Sequence, residues 1–98
     1  MQLQITPRRT SPTSRINLYG RVEGPIPSQG VVVELQVHYR GVWEPLRTPR
    51  TDSTGRFHVA YQFQGALGRF PFRAQVFGGQ AGYPYAHGES TTVDVTTS

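Results

Sequence analysis

The chain has no cysteine, and lysine is missing as well, because all ten of its basic residues are arginine. Without cysteine no disulfide can brace the fold, so stability has to come from packing, and the compartment cannot be read from redox chemistry. The arginine-only bias is explained by a GC-rich coding sequence rather than by a polyanion site, since the arginines are spread along the whole chain. Long hydrophobic runs are also lacking. No stretch approaches the roughly 20 apolar residues that cross a bilayer, and the N-terminus has no basic region followed by an apolar segment of the signal-peptide kind. The chain is therefore expected to be soluble, with no membrane insertion, and Met1 is compatible with either a true start or an excised fragment.

What remains is 98 residues, expected to form a single domain over 1–98, with a lean hydrophobic share of 36% and with Gly 11 and Pro 8. That balance suits many short strands joined by tight turns. The segment 31–40 organises the rest. At a period of two, Val31, Val33, Leu35, Val37 and Tyr39 fall on one side and Val32, Glu34, Gln36, His38 and Arg40 on the other. Such alternation, rich in β-branched residues and bounded by Gly30 and Gly41, reads as a strand with one buried face.

The same alternation gives strands over 2–6, 15–23, 42–48, 56–63, 69–77 and 90–96. Gly20 falls on an inner face and implies either a bulge or the close approach of a bulky neighbour, for which Trp43 is a candidate. Pro45 makes 42–48 an edge strand, and Pro71 is expected where its strand begins. Asp52-Ser53-Thr54-Gly55 is a self-capping turn, in which Asp52 accepts from amides ahead of it and Gly55 takes a positive φ. Seven strands at intervals of about 8–12 residues, with no three-turn helix, predict an all-β, seven-stranded antiparallel immunoglobulin-like sandwich.

Several ordered pieces carry a family resemblance: Leu18-Tyr19-Gly20-Arg21-Val22, the run 30–36, Trp43, the run 51–57, Phe72-Arg73-Ala74-Gln75-Val76 and the run 82–90. In this order they resemble a bacterial immunoglobulin-like or fibronectin-like module of the kind found in tandem in secreted and cell-surface proteins. The resemblance implies a non-catalytic spacer or presenter of loops, extracellular or at the cell surface, whose partners are neighbouring domains of the same parent protein. The chain lacks the cysteines of antibody domains and the lysine that an intramolecular isopeptide bond would need.

No catalytic residues are expected. The serines lie in loops without a G-x-S-x-G elbow, and the six carboxylates form no motif, although Glu34 and Glu44 could approach one another in space. Glu34 is expected opposite Arg73 if their strands pair. His38, His58 and His87 match no metal spacing, so neither a metal nor a cofactor is expected. The candidate ligand-binding residues are Tyr83, Tyr85 and Trp43. Tyr83 and Tyr85 flank Pro84 in the loop before the last strand, where they either form a flat platform for a sugar or let one ring plug the end of the sandwich. Trp43 either packs on an edge strand or serves as a platform. If strands 15–23 and 56–63 share a sheet, Arg15, Arg21, Arg56, His58 and Tyr19 share an outward face, suited to an anionic cell-wall or surface polymer more than to nucleic acid, whereas a carbohydrate would be met by the loop aromatics. The expected oligomeric state is a monomer.

Overall fold

The computed structural model describes residues 1–80, 82–83 and 87–98. Among the described residues there is no helix. The strands in chain order are β1 (Gln2–Thr6), β2 (Arg9–Thr10), β3 (Arg15–Arg21), β4 (Val33–Tyr39), β5 (Val42–Arg47), β6 (Arg56–Gln62), β7 (Gly68–Val76), β8 (Gly88–Glu89) and β9 (Val93–Thr97). They form two sheets, one in the order β1-β3-β6 and the other β2-β9-β7-β4-β5, with β8 attached to β7.

Each of the seven predicted strands has a counterpart, but among the described residues the count is nine because β2 and β8 are added. Each of these has two residues, too short to alternate visibly in a sequence. The pairing of β2 with β9 is parallel, a departure from the all-antiparallel expectation. It arises because the chain leaves β1 in one sheet, crosses Pro7, and continues in the same direction along the other.

The two-residue period determines what is buried. Ile16, Leu18, Leu35 and Phe72 are completely hidden between the sheets, and Phe57 is nearly so. Hiding each such side chain contributes about 1.5–3 kcal/mol. Gly20 lies directly opposite Phe57 across β3 and β6, and a Cβ placed on it would clash with Phe57 Cζ. The bulky neighbour of Gly20 is therefore Phe57. Trp43 sits on the outer face of the other sheet, so the expected Gly20–Trp43 approach is incorrect.

Prolines shape the second sheet. Pro45 lies on the edge strand β5, as its missing N–H requires. Pro71 is inside β7 rather than at its beginning: it pairs with Asp94 of β9, while the ladder to β4 stops at Val37 and Phe72, one position short of it. The backbone of Val32 is completed by a side chain. Gln80 Oε1 accepts from Val32 N–H at 2.7 Å, and Gln80 Nε2 donates to Val32 O at 3.0 Å.

The two flanks of the sandwich differ. On one, the crossing from β1 to β2 ties the sheets together. On the other, the edges β5 and β6 face each other across an apolar cleft of about 240 Å3, lined among others by Val37, Leu46, Tyr61, Phe63 and Phe70. Val37, Leu46, Val59 and Tyr61 point inward yet are only half-buried, because among the described residues no further strand covers them there.

Candidate functional site

The outer face of β1-β3-β6 is ordered in rows by its register. Gln2, Arg21 and Arg56 form one row, and Gln4, Tyr19 and His58 the next. These residues line a shallow groove of about 540 Å3, closed on one side by Asp52. Tyr19 and His58 are stacked with ring centroids 4.5 Å apart and planes within 5°. His58 Nε2 lies 3.1 Å from Asn17 Oδ1, which fixes the imidazole on its strand.

Arg21 and Arg56 are exposed, directly opposite one another, and among the described residues neither is ion-paired. Like charges facing each other directly across a ladder destabilise a sheet. The nearby carboxylate relieves this in part. Asp52 is held below its ordinary pKa of 3.8, first by the Thr54 hydroxyl and then by the Arg56 backbone N–H, with a further contribution from the Arg56 charge. Its Oδ1 is occupied by Thr54 N, Thr54 Oγ1 and Arg56 N. The groove thus keeps two guanidinium groups available to an anion, with the Gln2 and Gln4 amides beside them. Arg15, expected on the same patch, pairs with Gln62 at the far end of β3. It stands six positions from Arg21, roughly 20 Å along a strand.

The outer face of the second sheet is knit together. The Arg73 guanidinium lies 4.1 Å from the Trp43 ring centroid, and His38 meets the same ring edge-on at 5.1 Å. Arg73 Nε donates to Gln36 Oε1 at 2.7 Å, Gln36 Nε2 reaches Gln75 Oε1 and Glu34 Oε1, and Gln75 Nε2 donates to Glu89 Oε1. Arg73 is therefore opposite Gln36, and Glu34 opposite Gln75. The expected Glu34–Arg73 pairing is off by one pleat, and the network explains why Gln36 and Gln75 are buried on an outward face.

Of the three candidate aromatics, Trp43 is half-buried beneath Arg73 and beside His38. Tyr83 is 9% exposed and packs with the core, and its N–H donates to Gln80 O at 3.0 Å. Tyr85 lies outside the described residues. The structure does not bring Trp43 and Tyr83 to one surface: one faces outward on a sheet and the other faces the core. Glu34 and Glu44 also separate, since Glu34 joins the outer network while Glu44 lines the cleft between the sheets. His38 and His58 lie on the outer faces of different sheets. Among the described residues no group of three His, Cys, Asp or Glu is placed to hold a metal, and no helix is long and apolar enough to cross a membrane.

Comparison with known proteins gives no family model, no curated protein and no solved structure that matches the chain. The outward direction of Arg21 and Arg56 is legible in the sequence through alternation, and their shared face requires in addition that β3 pair with β6. The cleft is not legible, because it depends on which strands end up at the edges.

Proposed function

We propose that the chain is an immunoglobulin-like β-sandwich serving as a non-catalytic structural or adhesive spacer in a larger extracellular bacterial protein. The observation that carries this reading is the placement of the chain's two ends. β1 begins beside Arg21 at the pole formed by Arg21 and Arg56. β9 ends beside Gly68 at the other pole, where Thr97 Oγ1 donates to Ala66 O. Chain that enters at one pole and leaves at the other joins neighbours end to end. The strand order supports the immunoglobulin-like reading, with a first strand that starts in the smaller sheet and crosses to pair in parallel with the last strand of the larger. The extracellular bacterial setting rests on the sequence resemblance, and the module is monomeric in this reading.

Two copies joined head to tail by a short linker test the spacer role by small-angle X-ray scattering. The expected maximum dimension is about twice the 42 Å length of one copy. A folded-back pair, with a maximum dimension close to that of one copy, overturns the reading.

A second reading is binding of an anionic polymer or acidic carbohydrate, favoured by the Arg21–Arg56 pair in its groove. Retention on heparin is expected to collapse steeply with salt and to be weakened by Arg21→Ala and Arg56→Ala. Salt-insensitive retention, or retention unchanged in both variants, contradicts it. A sugar platform built from Tyr83 and Trp43 draws less support, since little open ring area is left on either.

A further inference from the structure

The flank between β5 and β6 is the side on which the sandwich stays open, and the register of β6 tells which of its backbone groups are free. In an antiparallel ladder, residues that exchange hydrogen bonds with the neighbouring strand alternate with residues whose N–H and C=O point away from it. Val22 N donates to Gly55 O at 2.8 Å and Phe63 N to Ser14 O at 3.0 Å, so the odd-numbered residues of this strand face β3. The even-numbered ones face out. Arg56 agrees: its carbonyl accepts from Asp52 N at 2.9 Å, and its N–H donates to Asp52 Oδ1 at 3.1 Å. That turn covers the first outward residue. His58, Ala60 and Gln62 follow without a cover, and among the described residues no backbone hydrogen bond reaches their outward N–H and C=O groups.

A bare edge of this kind is usually blunted by proline, lysine or a bulge. β5 has Pro45 and a register shift beside it at Leu35 and Gln36. β6 has neither proline nor lysine, and its ladder to β3 is unbroken from Arg15 to Arg21. Directly beside it lies the apolar cleft, whose half-buried lining includes Tyr61 and Leu46. A strand added to β6 would send every second side chain into that cleft, replacing water against those surfaces.

We propose that β6 is a docking edge for an acidic extended peptide from another chain, which adds as a strand and places alternate apolar side chains in the cleft. Charge selects this occupant. Arg47 lies over the Tyr61 ring at 5.7 Å and Arg40 over the Tyr39 ring at 5.1 Å, both rings lining the cleft, and Arg56 stands at one end of β6. Among the described residues none of the three is ion-paired. The opposing carboxylates nearby are Glu44 and Asp52, and Asp52 is engaged in its own turn. A second copy of the chain, with net charge +4, would bring the same arginines to the same place. An acidic strand is attracted where a second copy is repelled. Backbone pairing supplies the affinity and the alternate pockets the selectivity.

The probe is a peptide of about eight residues alternating valine with glutamate, near the usual length of a strand. It is compared with the same peptide carrying lysine in place of glutamate. With the glutamate peptide, amide exchange at His58, Ala60 and Gln62 is expected to slow by at least about tenfold, and the lysine peptide is expected to bind about tenfold more weakly or worse. Ala60→Pro is expected to abolish binding while leaving the fold intact, because the Ala60 N–H points away from β3. Should that variant not fold, N-methylation of alternate peptide amides tests the same hydrogen bonds from the other side and is expected to abolish binding too. Absence of binding at millimolar peptide overturns the proposal. So does binding that survives both Ala60→Pro and peptide N-methylation, or protection of the three amides that rises with protein concentration in the absence of peptide, the outcome of pairing between copies.

Discussion

Gly20 and Phe57 share one inward space across β3 and β6, and the glycine is there because the ring already fills it. Gly20→Ala is expected to destabilise the fold by about 1–3 kcal/mol, the usual cost of overpacking, measured as a lower urea midpoint. Adding Phe57→Leu is expected to restore part of the loss, which separates a clash from a backbone effect. Asp52 offers a second residue-scale test. Its carboxyl is held below 3.8 by the Thr54 hydroxyl and the Arg56 backbone. The stabilisation is therefore full above the unfolded pKa and is lost as pH falls through the lower folded value. Urea midpoints of the wild type and Asp52→Asn are expected to differ at pH 7 and to converge towards pH 2. The Asp52 turn is readable from the sequence because its donors lie within four residues. The neighbour of Gly20 is not, because it depends on the register between two strands that brings Gly20 opposite Phe57, 37 positions further along the chain.

At the scale of elements, alternation does most of the work. The central strand β4 buries Val33 and Leu35 as the period requires, and Phe72 of β7, opposite Val37, is completely hidden in the same core. Phe72→Ala is expected to cost about 3–5 kcal/mol, read from denaturant unfolding. Gln80 takes the place of a strand for Val32, and Gln80→Leu leaves two backbone groups without partners, for an expected loss of about 1–3 kcal/mol. Neither β2 nor β8 shows in the sequence, since two residues carry no period. Pairing partners are equally hidden. The position of Arg73 opposite Gln36, rather than Glu34, is fixed by how far β4 slides along β7, and alternation is blind to a slide of two residues.

For the molecule as a whole, the two layers and their inward faces are legible in the sequence, whereas the asymmetry of the flanks is not. Which strands become edges follows from the order of pairing, and that order places β6 beside β5 with a cleft between them. The candidate surfaces divide in the same way. Arg21 and Arg56 each point outward by alternation and meet on one face because β3 pairs with β6, while the aromatic residues Trp43 and Tyr83 are singled out by type and then separate in space. The sandwich, its open flank and the docking edge all rest on the register of β6. Residue-resolved amide hydrogen exchange of the free protein tests that register most directly. Within this one strand, Phe57, Val59 and Tyr61 are expected to exchange slowly, while His58, Ala60 and Gln62 exchange fast. Uniform protection along 57–62, or the opposite alternation, would contradict it.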